Sequence, residues 1–271
     1  MTHDPTRRTF LKQSALGLAA VRSRDFSLAS SVPAPAPESP EIAVRVTGGT
    51  LRYQAAAPSA WRTATGTEEN TIELNPAQKY QEILGFGAAF TDAACYTFHR
   101  LDAAAREQLF RELFHPSGMG MNVCRTCIGA SDYSTKLFSY NEGEPDPEMT
   151  RFSIAHDQAY VLPMLREARK QNPDLFLFSS PWSPPGWMKT GGSMLGGLLP
   201  PRYFVPYALY VVKFLQSYAA EGVPVQAVTV QNEVDTDQDG RMPASAWPQE
   251  YEMRFVKNHL GPELQKNGLA T

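Results

Sequence analysis

Four times between residues 83 and 260, a short continuous run of apolar residues gives way to a longer stretch with apolar residues every three or four positions. The first run is ILGFGAAF (83–90). After it, Asp102 opens a helical stretch carrying Leu109, Phe110, Leu113 and Phe114, stopped by Pro116 and Gly118. The second run, MGMNVCRTCI (119–128), is followed by a helix from Ser153 with Val161, Met164, Leu165 and Ala168 on one face, ended by Asn172-Pro173. The third, LFLFSS (175–180), precedes an amphipathic helix over 203–220, and the fourth, VQAVTVQNE (225–233), a last helix over about 247–260. Short unbroken apolar strands alternating with helices predict a parallel sheet covered by crossover helices, an α/β fold. Ahead of it, residues 42–54 alternate around Gly48-Gly49, which predicts a hairpin, and TIEL (71–74) reads as one more short strand.

The polar residues fall at one end of these strands. The first leads to Asp92, the second carries Arg125 and leads to Asp132, the third ends in Trp182 with Trp187 close behind, and the fourth ends in Asn232-Glu233. Both a (β/α)8 barrel and a doubly wound sheet bind ligands at the C-terminal ends of their strands. No G-x-G-x-x-G or P-loop follows any strand, and GFGAAF (85–90) lacks the third glycine, so the barrel is the expected architecture.

Composition narrows the chemistry. A formal net charge of −3 over 271 residues gives no basic face for nucleic acid, and no apolar run approaches the ~20 residues of a membrane span. Cys124 and Cys127 have C-x-x-C spacing without the second pair or histidines that zinc requires, so both are expected in the core with Cys95. There is no G-x-S-x-G elbow, and the five histidines show no metal-ligand spacing. Asp235, Asp237 and Asp239 lack the distal Glu of a calcium loop and read as a solvated loop. What remains at the strand ends is carboxylates, an arginine, an amide and tryptophans. Indole rings stack on the C–H faces of a sugar, and charged and amide groups bind its hydroxyls. A Glu in a partly apolar pocket can protonate a glycosidic oxygen.

GFGAAFTDAA (85–94), SPWSPPGWMKT (180–190) and VQNEVD (230–235), in that order and spacing, resemble glycoside hydrolase family 30, the family of the glucosylceramidases. The resemblance runs from about residue 42 to the end. It implies a (β/α)8 TIM-type barrel with an attached β-sandwich, and retaining hydrolysis of a β-glucosidic bond without a cofactor. It implies Glu233 as the catalytic acid/base, Asn232 as the amide on the sugar 2-hydroxyl, Trp182 as the floor of the sugar site, and Arg125 and Asp132 as polar groups lining it. Asp92 matches a motif position, as a substrate ligand or as the cap of the first helix. Trp187 stays open between rim packing and a second sugar platform.

In this family the nucleophile is a Glu closing a later strand. Four strand–helix units use residues 82 to 232, and a whole barrel takes ~250 residues, so the second carboxylate is expected to lie outside this chain. Glu250, Glu252 and Glu263 fall on or just after the last predicted helix, and none closes a strand. The chain therefore reads as an N-terminal fragment, expected to be poorly soluble and inactive alone; clear turnover of an aryl β-glucoside by the purified chain would overturn this. The alternatives are an endo-β-1,6-glucanase or β-xylosidase of the same family, or, in another class, a non-catalytic sugar-binding remnant. The expected partner is a β-glucoside or glucan.

The first residues, with Arg7-Arg8-Thr9-Phe10-Leu11-Lys12 before a short apolar run, resemble a bacterial twin-arginine signal. A Pro-rich spacer, VPAPAPESP, follows. The expected organisation is thus residues 1–40 signal and spacer, 41–80 β segment and 81–271 partial barrel, in a protein exported to the periplasm or beyond.

Overall fold

A computed structural model of the protein describes residues 41–63, 66 and 71–269. The twin-arginine pattern and the Pro-rich spacer lie outside the described residues. The chain divides into two compact units, residues 1–79 and 80–271.

The first unit is a set of short antiparallel pairings. Strands β2 (Arg45–Gly48) and β3 (Leu51–Ala55) form the hairpin expected around Gly48-Gly49, whose second glycine takes φ 55°. Strands β1 (Glu41–Ile42) and β4 (Ser59–Ala60) pair outside it. The predicted strand at 71–74 is not formed. Ile72 and Leu74 are exposed, so these β-favouring side chains have no sheet face to pack on.

The second unit holds a four-stranded parallel sheet in the order β5 (Ala89–Phe90), β6 (Val123–Ile128), β7 (Phe176–Pro181), β8 (Ala227–Val228). Between β5 and β6 run helices α1 (Asp92–His99) and α2 (Ala103–Phe114). Helices α3 (Ala155–Gln158) and α4 (Val161–Gln171) follow β6, and α5 (Phe204–Ala220) follows β7. After β8 come α6 (Gln249–Phe255), a π-helical turn over Val256–Leu260 and α7 (Gly261–Lys266), so the last helical run extends past the predicted 260. This is a partial (β/α) barrel of four strands.

The two inner strands form at their predicted places, and the two outer ones are shorter than predicted. β6 and β7 pair over six residues and bury Cys124, Ile128 and Leu177. The expected strand at 83–90 is regular only over β5. Its backbone still follows β6, with Phe86 O accepting from Asn122 N at 2.9 Å and Ala88 O from Arg125 N at 3.2 Å. Gly87 sits so close to β6 that a Cβ there would lie 1.8 Å from the Val123 carbonyl oxygen, which explains one glycine of the GFG motif. Ile83, Leu84 and Phe86 are exposed on this open edge. An outer strand pairs on one side only, so its length is not enforced as it is at the centre of a sheet.

Helix α5 supplies most of the packing. Phe204, Tyr207, Tyr210, Phe214 and Tyr218 are completely buried at helical spacing. A side chain of this size contributes about 1.5–3 kcal/mol on burial. The helix ends in a Schellman turn: Val223 N donates to Tyr218 O at 2.9 Å, Gly222 N to Ala219 O at 3.0 Å, and Gly222 takes the left-handed φ of 74°. That reversal sends the chain straight into β8. Tyr218 also donates to Asp157 of α3, as does Tyr140, each at 2.5 Å. Burial pushes the Asp157 carboxyl up to about 6, against the pull of the two phenols.

Candidate active site

Strand β6 and the segments that follow β7 and β8 bring three of the expected residues into one contact chain. Arg125 lies in β6 opposite Phe178 of β7. Its guanidinium carbon stands 4.8 Å from the centre of the Trp182 ring, and Nη1 donates to Asn232 Oδ1 at 3.1 Å. Trp182, the residue after β7, is buried and is fixed from behind by Gln231, whose Nε2 donates to the Trp182 carbonyl at 2.5 Å.

Local backbone geometry explains why Asn232 and Glu233 leave the strand where they do. Thr229 N donates to Ser179 O at 2.9 Å, as a parallel ladder requires, but the next bond to Pro181 O comes from Asn232 N at 2.8 Å rather than from residue 231. One extra residue has entered the β8 side. Such an insertion bends a strand and re-aims its side chains. Gln231 turns inward to Trp182, Asn232 meets Arg125, and Glu233 is exposed, with Oε2 accepting from Gln238 Nε2 at 2.8 Å. Because Arg125 occupies Asn232 Oδ1, the Nδ2 hydrogens of that amide are presented for donation.

Asp92 has a different setting. The N-cap of α1 is Thr91, whose side chain accepts from Ala94 N at 3.2 Å, so Asp92 is the first helical residue and not the cap. It is 3% exposed, and its oxygens accept from Thr135 N at 2.6 Å, Thr135 Oγ1 at 2.8 Å and His156 Nε2 at 2.7 Å. Burial raises this carboxyl, and the bonds from His156 and Thr135 outweigh it, drawing the group down to about 2. Asp132 is exposed and lines a cleft of about 250 Å³ with Ser131, Lys136, Leu195, Arg241 and Pro243; Arg125, Trp182 and Glu233 do not line it. Trp187 donates from Nε1 to Asn141 Oδ1 at 3.0 Å and meets the Tyr203 ring edge-on, which commits the indole to packing.

Cys124 and Cys127 are free and buried, and burial pushes both thiols up, Cys127 to about 12. Among the described residues no group of three or more His, Cys, Asp or Glu side chains is arranged to hold a metal ion, and no helix is long and apolar enough to cross a membrane. The acidic stretch after Glu233 forms a turn in which Asp237 Oδ1 accepts from Asp239 N at 3.2 Å.

Two residues near the site were not singled out from sequence. Gln238 sits at an unremarkable polar position, five residues beyond Glu233. Lys189, in the SPWSPPGWMKT segment, is 4% exposed, and its Nζ donates to Gly196 O and Ala244 O, each at 2.5 Å, and to Ser183 Oγ at 3.3 Å. Only its place inside a motif hinted at it, since a lysine reads as a surface residue by composition.

The family model of the glycosyl hydrolase family 30 TIM-barrel domain matches residues 83–270. A putative glucosylceramidase 4 of Caenorhabditis elegans is 34% identical over 214 residues, covering 74% of this chain and 41% of the relative. An endo-1,6-beta-D-glucanase of Neurospora crassa is 33% identical over 233 residues, covering 81% of this chain and 48% of the relative. Among solved structures, an endo-beta1,6-glucanase superposes with a TM-score of 0.69 at 32% identity, over 82% of this chain and 48% of that one. The chain thus spans less than half the length of these relatives.

Proposed function

The chain belongs to glycosyl hydrolase family 30, and on that premise we propose that its protein hydrolyses a β-glucosidic bond with retention of configuration, Glu233 acting as the acid/base. The contact chain Trp182–Arg125–Asn232, drawn from three adjacent strands and the segments that follow them and leading directly into Glu233, carries this reading. In the first step the Glu233 carboxyl gives its proton to the leaving oxygen while a second carboxylate attacks the anomeric carbon. In the second step the Glu233 carboxylate takes a proton from water, which releases the sugar. We assign that second carboxylate to a barrel strand beyond the four described. Asn232 donates from Nδ2 to the 2-hydroxyl, a bond that strengthens as positive charge develops on the ring. Trp182 packs under the sugar face, its far side held by Arg125 and its backbone by Gln231.

The relatives include both glucosylceramidases and endo-1,6-glucanases. A glucosylceramide-type β-glucoside is the leading substrate on this reading, with a β-1,6-glucan as the alternative that the second set of relatives supports. We also propose export through the twin-arginine route, from the pattern at residues 7–12.

The test is Glu233→Gln in the full-length gene product, assayed on aryl and alkyl β-glucosides. Loss confined mainly to the alkyl substrates, whose leaving oxygen needs a proton, supports the assignment. Equal loss on both removes the acid/base assignment, and sugar binding without turnover by the parent points to the non-catalytic remnant.

A further inference from the structure

Glu233 is exposed, and its carboxyl is gripped from one side by a single short loop. We infer that Gln238 is a positioning residue for the Glu233 carboxyl group, held in place by a turn that Lys189 brackets to the loop after β7. This rests on the acid/base reading of Glu233 and adds the part that aims it.

The turn is built for the purpose at some cost. Gln238 and Asp239 both adopt left-handed backbone, φ 55° and 51°, although neither is glycine. Such a conformation is strained for a residue with a Cβ and persists only where surrounding contacts over-determine it. Here Thr236 Oγ1 accepts from Gln238 N at 2.9 Å, Asp237 Oδ1 from Asp239 N at 3.2 Å, and Asp237 O from Gly240 N at 3.1 Å.

The turn is also fastened from outside. Gly197 N of the loop after β7 donates to Asp237 Oδ2 at 3.4 Å, and Gly196 lies so close that a Cβ there would sit 3.0 Å from the Gly240 Cα. The buried Lys189 amine reaches Gly196 O on one side of this contact and Ala244 O on the other. Ala244 N in turn donates to Met194 O at 3.2 Å. The segments that carry Trp182 and Glu233 are therefore one bracketed body at their tips.

An amide suits the partner of an acid/base because it serves both protonation states. It donates from Nε2 to the carboxylate, and after a flip it accepts through Oε1 from the protonated acid. A general acid works only with its proton within hydrogen-bond reach of the leaving oxygen, and a misplacement of 1 Å costs about a hundredfold.

The test is Gln238→Met, which keeps side-chain length and removes both hydrogen-bonding atoms. In the full-length gene product we expect kcat/KM on an alkyl β-glucoside to fall at least tenfold and that on a dinitrophenyl β-glucoside to change less than threefold. A merely structural role would lower both alike, and that result overturns the inference. A second measurement needs no turnover. Three-bond side-chain couplings of Glu233 in isotopically labelled protein are expected to report one rotamer in the parent and an average in Gln238→Met; identical couplings overturn the inference. Should Glu233→Gln show no dependence on the leaving group, the acid/base assignment fails by itself, and the couplings still decide whether Gln238 holds the carboxyl.

Discussion

Asp92 follows the first strand of the sheet by two residues, and Glu233 follows the fourth by five, so both outer strands of one parallel sheet deliver a carboxylate to the same end. Asp92 is buried and accepts three bonds from Thr135 and His156. Glu233 is exposed and accepts one bond from a side chain on its own loop. Position at the mouth of a barrel does not by itself make a residue available for chemistry. The oxygens of Asp92 are engaged by fixed protein donors. Glu233, exposed and accepting a single side-chain bond, has the setting the proposed acid/base needs.

The sharpest way to break this comparison is to neutralise each group. Glu233→Gln is expected to reduce kcat/KM on poor leaving groups by about 10²–10⁴, the usual contribution of a general acid. Its unfolding free energy should stay within about 0.5 kcal/mol of the parent's, as for other exposed sites. Asp92→Ala should do the reverse in stability, costing about 3 kcal/mol by urea unfolding, because the Thr135 and His156 donors lose their buried acceptor. A large stability loss for Glu233→Gln together with none for Asp92→Ala would invert the assignment.

Two buried carboxyls sharpen the contrast through pH. Asp157 is held up at about 6, so the unfolded chain releases this proton first, and its contribution to stability is full below about pH 4 and lost as pH rises to 6. The size is about 3 kcal/mol at most, and Asp157→Asn should flatten that stretch of the stability–pH curve. Asp92 is held down at about 2, so its contribution is full above about pH 4 and is lost as pH falls towards 2, by about 2 kcal/mol. Asp92→Asn should remove that acid limb; its persistence would show that the His156–Thr135 network does not bind the ionised form. The smallest expected effect belongs to Arg125→Lys. Lysine cannot both lie flat on Trp182 and reach Asn232, so kcat/KM should drop about tenfold with little change in unfolding midpoint.

Why some of this could be read from sequence follows from where each signal originates. Strands β6 and β7 each sit between two neighbours, and Cys124, Cys127, Ile128 and Leu177 are buried along them, so an apolar run shows in the sequence even though Thr126, Ser179 and Ser180 are buried among them. Among the described residues β5 and β8 each pair on one side only, and a residue is inserted near Gln231; neither leaves a mark on hydropathy. TIEL (71–74) has β-favouring composition, but strand formation needs a partner that composition cannot supply. At the site, Trp182, Asn232 and Glu233 stood out because strand-end indole, amide and carboxylate groups are unusual where a strand should give way to a plain loop. Gln238 did not, because its significance lies in two left-handed residues and a bracket from Lys189, both of which arise only in three dimensions. The burial of Asp92 was equally hidden, since Thr135 and His156 reach it from 43 and 64 residues away.

The most direct test of the central assignment removes Glu233 and supplies a nucleophile that needs no base. With Glu233→Ala in the full-length gene product and a dinitrophenyl β-glucoside as substrate, added azide should restore turnover and yield the β-configured glucosyl azide. That product requires a covalent intermediate formed on the opposite face and the loss of the residue that activates water. An α-configured azide would make Glu233 the nucleophile, and an absence of rescue would remove it from the chemistry.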